Sequence, residues 1–337
     1  MSAASAPTQR AERRRTRAGG RGYLPLIGRR LLETIPLLVV ISVAAFSLSL
    51  LLPGDPAVAT AGPNPTTEQI AHAREALNLD ASPPVRYVTW VGHVLQGDLG
   101  VSIATGRPVR EEVLNRLPVT AAVAGFAVLL AGLLGTLIGT IQALFANRLL
   151  DRVLLIVVSL GLSIPNFWLA TLLVTFFAVD LSLFPAIGYV SPGTSLGSWA
   201  THLVLPVVTL ALFPAAELAR QVRTGLVGVL GLDYIRAARV RGLSSVRVVG
   251  KHALKNAAGP ALTIFGLRVG YLFAGAVIIE QVFVLPGLGA YTLQAIENRD
   301  ATVIQAMVLI SAVIVVAVNL LVDILYQAIN PRVRIAS

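Results

Sequence analysis

Apolar residues in this chain come in long runs, near 31–53, 119–145, 153–178, 202–223, 261–284 and 302–327. At about 1.5 Å per helical residue, each can cross about 30 Å of hydrocarbon. The pattern predicts an all-α membrane protein with about six transmembrane helices. Gly132, Gly135, Gly139, Gly161, Pro165, Pro206 and Pro214 fall inside these runs. In membrane helices such residues permit close packing or kinks.

The polar stretches between the runs set the orientation. Eight arginines precede the first run, Arg148 and Arg152 follow the second, eight Lys or Arg lie between Arg220 and Lys255, and Arg332 and Arg334 follow the sixth. The stretch between runs three and four has none, and that between five and six only Arg299. The positive-inside rule therefore puts both termini and the 220–255 stretch in the cytoplasm. The basic start could be taken for a secretion signal. However, the run after it is long for one, and the small-residue site Ala57-Val-Ala59 comes only after the Pro53-Gly-Asp-Pro turn. We read residues 1–28 as a basic, disordered cytoplasmic tail, 29–53 as the first span, 54–118 as an extracytoplasmic segment and 119–334 as the core.

The segment 54–118 has helical signals of its own. Thr66-x-x-Gln69 is a capping-box pattern. Ser82-Pro83 opens a second helix with Gly97 at its end, and Pro108 opens a third with Val109, Val113 and Leu117. These helices either cap the external face or lie among the headgroups.

On the cytoplasmic side, Leu232–Pro260 is a basic island between apolar runs. Its spacing predicts two short amphipathic helices. Leu232, Ile235 and Ala238 line one face of the first, opposite Arg236, Arg239 and Arg241. Gly242 suits the left-handed position that ends a helix, and Ser244 can cap the next. There Val246, Val249 and Ala253 form the apolar stripe, and Arg247, Lys251 and Lys255 the basic one. The island is either a docking surface or a loop held at headgroups by its arginines.

Composition narrows the chemistry. The 337 residues are 55% hydrophobic and 13% charged, so the bilayer is the natural solvent. A net charge of +10 would suggest nucleic acid for a soluble chain, but here it sits in the cytoplasmic stretches. With no cysteine there is no disulfide framework or thiolate site. The chain has two lysines, Lys251 and Lys255, and neither sits in a phosphate-cradling Gly-x-x-x-x-Gly-Lys-Ser/Thr loop. His72, His93, His202 and His252 show no metal-ligand spacing, and we read each as structural. No enzyme activity, cofactor or metal is expected.

Charges inside the runs need partners. Glu217 and Arg220 lie near the inner end of the fourth run, and Arg268 inside the fifth. Glu280 and Asp323 lie near run ends, where snorkelling or capping explains them. Arg268 is about 12 Å from Pro260 along a helix, too deep for the interface. It either pairs with Glu217 or faces a water-filled translocation path.

The island reads Asp-Tyr-Ile-Arg-Ala-Ala-Arg-Val-Arg-Gly, then Leu-Ser, then His-Ala-Leu-Lys-Asn. It resembles the Glu-Ala-Ala loop of ABC importer permeases, in the dipeptide/oligopeptide/nickel branch. Arg236 stands where the general pattern has Glu, and His252 to Asn256 replace Ile-x-Leu-Pro, as in that branch. The resemblance continues through Leu52-Pro-Gly-Asp-Pro-Ala57, Gln96-Gly-Asp-Leu-Gly100, Asp151-Arg152, Leu162-Ser-Ile-Pro-Asn-Phe-Trp168, His202-Leu-Val-Leu-Pro206, Glu280-Gln-Val-Phe, Pro286-Gly-Leu-Gly289, Asn319-Leu-Leu-Val-Asp323 and Asn330-Pro-Arg332.

It implies a multi-pass permease subunit in the cell membrane. Its partners would be a second, related permease, two ATPase subunits and an extracytoplasmic solute-binding protein. Coupling to the ATPase would fall to Tyr234, Arg236, Ala237, Ala238, Gly242, Ser244 and His252. The solute would be a peptide or, as elsewhere in the branch, nickel. The alternatives are an ion-gradient-driven secondary transporter or channel, which would need mid-membrane carboxylates or broken helices, and a non-transporting membrane anchor.

The topology can be checked on a chain without native cysteine. Single cysteines replacing Gly92 or Ser191 will react with a membrane-impermeant thiol reagent added outside. One replacing Ser245 will not, and external labelling there inverts the orientation.

Overall fold

The computed structural model describes residues 23–51, 57–58, 61, 65–76 and 78–329. Its helices are α1 (Tyr23–Leu51), α2 (Thr67–Ala76), α3 (Pro83–Leu95), α4 (Val109–Leu144), α5 (Leu149–Ser163), α6 (Asn166–Leu173), α7 (Leu196–Leu230), α8 (Asp233–Val240), α9 (Leu254–Val282), α10 (Leu288–Glu297) and α11 (Ala301–Ile329). The described residues form no β-sheet; an isolated antiparallel bridge joins Val101 and Pro108.

Four of the described helices are long and apolar enough to cross a membrane: α4, α7, α9 from Gly259, and α11 to Val322. The third predicted run is not one straight span. It breaks at Pro165, and α5 meets α6 with its π-helical continuation (Val174–Asp180) at 109°. Ile164 is extended at ψ 124°, because a residue before proline is pushed out of the helical region. The first run forms α1, within which the described apolar stretch is Leu32–Leu48. Of the predicted tail 1–28, residues 23–28 are already the start of α1, and the rest, like the Pro53-Gly-Asp-Pro turn, lies outside the described residues, as do the side chains of α1 before Leu32.

α7 is the centre, packing on α4, α5, α6 and α9. Its buried residues include Pro206 and Pro214, so both prolines are enclosed by neighbouring helices rather than ending the span. The α4 face toward it carries Val119, Val123, Ala127, Ala131, Gly135 and Gly139, every fourth residue, and all are buried. Side-chain size falls along this row from valine to glycine, so the helices meet most closely toward the C-terminal end of α4. A Cβ at Gly135 would stand 2.8 Å from the Ala215 carbonyl oxygen, and one at Gly139 would collide with that of Ala219.

α1 lies along α11, and α3 rests on α1. Phe46, Tyr87 and Trp90 cluster there at ring separations of 5.6–6.3 Å, and Ser42 Oγ lies 2.8 Å from the Tyr87 hydroxyl. Two of the predicted external helices form as expected. The Thr66–Gln69 capping box is reciprocal, at 2.8 and 3.2 Å, and Ser82 and Gly97 bound α3. The third does not stand alone. The helix beginning after Pro108 runs through residue 118 without a break, so Val109 and Val113 extend the second span outward onto α10 and α11.

Gly139→Ala will destabilise the fold by about 1–3 kcal/mol through overpacking. Gly132→Ala, whose added carbon meets nothing nearer than 3.8 Å, will be close to neutral. Thermal unfolding of the two variants in detergent makes the comparison.

Candidate functional site

The basic island folds as one corner. α8 turns Ile235 fully inward among Ala143, Leu226, Val248 and Ala253, which fastens it beneath α4, α7 and α9. Tyr234, Arg236, Ala237, Arg239, Val240 and Arg241 stay exposed, while Leu232 is exposed and Ala238 half-buried. The helix ends as Gly242 takes φ +78°, donating to the Arg239 carbonyl at 2.9 Å while Leu243 N–H reaches the Ala238 carbonyl at 3.3 Å. Left-handed backbone closes this turn, and glycine adopts it without a Cβ penalty.

Two expectations for the second half are corrected. Ser244 sits in the extended cap position, but its side chain caps nothing. The second amphipathic helix is not separate: Ser245–Arg247 and a π-helical turn, Val248–Ala253, run straight into α9. The π-turn shifts the register, so Val248 is buried with Val249 and Ala253, while Val246 is 85% exposed. Val240 and Val246 thus stand exposed on either side of Gly242, amid arginines.

Asn256 Nδ2 donates to the Tyr234 hydroxyl (3.0 Å), tying α8 to the base of α9, and to the His252 backbone carbonyl one turn back (2.8 Å), while the His252 side chain joins neither contact. Arg236 reaches Asp233 at 3.4 Å, and both are largely exposed, so the contact adds little stability. Arg236, Ala237, Gly242 and Ser244 share the exposed side, and Ala238 turns partly inward.

Glu217 and Arg268, whose pairing was one of the two readings of the deep arginine, are joined. Arg268 Nε and Nη2 donate to the two Glu217 oxygens at 2.7 and 3.0 Å, and the guanidinium lies 5.5 Å from the Tyr271 ring centre. The Glu217 side chain is 10% exposed and that of Arg268 41%.

Several polar anchors were not legible in the sequence. Arg223, counted among the loop arginines, lies within α7 and grips Asp151 of α5 through two bonds of 2.8 and 2.7 Å. Asn147 N–H also donates to Asp151 (2.9 Å). An acidic residue in the first turn of an apolar run was the available signal. Glu280 does not snorkel: it is wholly buried, accepting from Thr120 Oγ1 (2.6 Å) and from the Ala290 N–H (2.9 Å) at the start of α10. Gly287 and Gly289 leave the space its carboxylate fills. Asp300 likewise caps α11 at Val303 and holds the outer loop through Ser102 Oγ (2.6 Å). The Asp323 side chain lies outside the described ones.

Residues 135–335 match the family described as "Binding-protein-dependent transport system inner membrane component", and residues 23–124 match its N-terminal region. A Brucella abortus (strain 2308) protein named as a peptide transport system permease is 39% identical over 309 residues, covering 92% of this chain and 98% of that one. The glutathione transport system permease protein GsiC of Salmonella choleraesuis is 41% identical over 306 residues, 91% and 97% of the two chains. Among solved structures, a chain of the MetNI methionine ABC transporter aligns with a TM-score of 0.54 at 20% identity. It covers 65% of this chain and 96% of that one, and so shares the fold.

Asp151→Asn will cost about 3–5 kcal/mol, because it strands the Arg223 charge at a helix contact. The Asp151→Asn/Arg223→Gln double change will regain part of that loss in thermal unfolding.

Proposed function

Because this chain belongs to the binding-protein-dependent transport system inner membrane components, we propose that it is the peptide-importing permease of such a system, working beside a second, related permease. Membership makes it a multi-pass membrane component of an ABC importer rather than an enzyme. ATP hydrolysis then falls to two ATPase subunits below, and solute delivery to a binding protein outside. Peptide as solute is supported by relatives named for peptide and glutathione transport along nearly their whole length. The family also sets aside the gradient-driven alternative.

The observation that carries the coupling role is mechanical. The exposed corner Tyr234–Ser244 is fixed to the core by Ile235, and its far side continues into α9 without a joint. A partner gripping Arg236, Ala237, Gly242 and the two exposed valines would move a membrane span directly. Tyr234, bound by Asn256, braces the corner against the base of α9, and His252 lies one turn before Asn256. The chain then divides the work among a cytoplasmic tail before α1, an outer region between α1 and α4 facing the binding protein, and the core with its coupling loop 232–260.

Co-expressed with its cognate subunits, the chain will co-purify with two ATPases and a second permease, and the vesicle-reconstituted complex will take up peptide only with ATP and binding protein. Gly242→Val will cut that uptake at least tenfold while membrane insertion stays normal. Normal uptake by this variant would remove the corner from the coupling path.

A further inference from the structure

We infer that the Arg268–Glu217 pair is a contact on the wall of a water-filled path, where the outer edge of Arg268 meets the C-terminal carboxylate of a peptide in transit. The inference rests on the peptide-importer reading and names a contact for its solute.

Depth is the first argument. The apolar part of α9 spans Gly259–Val282. Arg268 lies about 13 Å from one end and about 21 Å from the other. An arginine side chain reaches about 6–7 Å, so this one cannot snorkel to either headgroup layer. Yet two-fifths of it is exposed. Glu217 meets two of its donors, and the rest of so exposed a charged side chain at this depth requires water or a further polar partner, since lipid tails supply neither.

Direction is the second. Beside it on α9, Leu267, Tyr271 and Ile278 are exposed at helical spacing. A different face of α9, through Phe265, Val269 and Phe273, lines an apolar groove of about 640 Å³ shared with α4 and α11. No charged side chain lines that groove, so the guanidinium does not open into it.

The third is chemical. Glu217 occupies Nε and Nη2, while Nη1 has no hydrogen-bond partner among the described residues. Its two N–H groups suit a carboxylate. Because Glu217 already neutralises the charge, the contact is weak. A path needs that, since a solute must leave as readily as it enters.

The test uses the importer reconstituted in vesicles with Leu267→Cys in this chain, reacted with an anionic (sulfonatoethyl) and a cationic (trimethylammonioethyl) methanethiosulfonate, with and without ATP. Labelling is read from the mass of this chain, so cysteines in partner subunits do not interfere. The expected result is reaction with both reagents, slowed by saturating zwitterionic peptide. Adding Arg268→Gln will lower the anionic-to-cationic rate ratio at least fivefold, and adding Glu217→Gln will raise it. If the arginine variant fails to assemble, the Glu217→Gln arm and the neutral Glu217→Gln/Arg268→Gln double variant decide the matter.

No reaction in either nucleotide state would overturn the proposal, placing this face against lipid or a neighbouring subunit's side chain. An unchanged ratio, or one indifferent to peptide, would overturn it too. Failure of the unsubstituted complex to take up peptide would instead remove the solute assignment, leaving the water-lined wall to stand or fall on the reagent rates.

Discussion

The rest of the structure depends on how closely α4 and α7 approach. In lipid, helices gain nothing from hiding apolar surface, so association rests on backbone proximity and packing. The fourfold row on α4 shrinks from Val119 and Val123 through Ala127 and Ala131 to Gly135 and Gly139, and it brings α7 nearest toward the C-terminal end of α4. α7 can then serve as a hub while it contains two prolines, because Pro206 and Pro214 are enclosed by its neighbours. Glu217 and Arg223 follow on the same helix, each bound to a different neighbour, α9 and α5. Steric fit sets the distance, and paired charges fix the rotation.

Polar anchors thus occur at three heights. Asp151–Arg223 ties the end of the bundle near Gly139, Glu217–Arg268 the middle, and Glu280 with Thr120 the opposite end. Each is a contact between helices distant in sequence. In a low-dielectric surrounding, leaving one member unpaired is costly, so such pairs specify a single arrangement more sharply than apolar packing alone.

What the sequence made legible was local or periodic. Hydropathy located the long helices, the Thr66–Gln69 box formed as written, and Gly242 took its left-handed backbone. Depth alone singled out Arg268 and offered Glu217 as its partner. What stayed hidden had one of two causes. A single-residue change of period, the π-turn at Val248–Ala253, replaced Val246 with Val248 on the buried face, and no hydrophobic pattern announces such a shift. The other cause was distance. Nothing near Glu280 in the chain points to Thr120, and nothing near Arg223 points to Asp151. Prolines were ambiguous for a related reason: Pro165 breaks its helix and Pro206 does not, and packing around each decides which.

The Glu280 contact has a consequence in time as well as space. Thr120 is synthesised 160 residues before the carboxylate that it donates to. At about 5–20 residues per second, α4 waits about 8–32 s in the membrane before its outer partner exists. The Ala290 N–H, ten residues further on, follows within about two seconds. This end of the bundle therefore cannot close until most of the chain has been made. Glu280 and Asp300, both buried and each bound to a residue made at least 160 residues earlier, are its late fastenings.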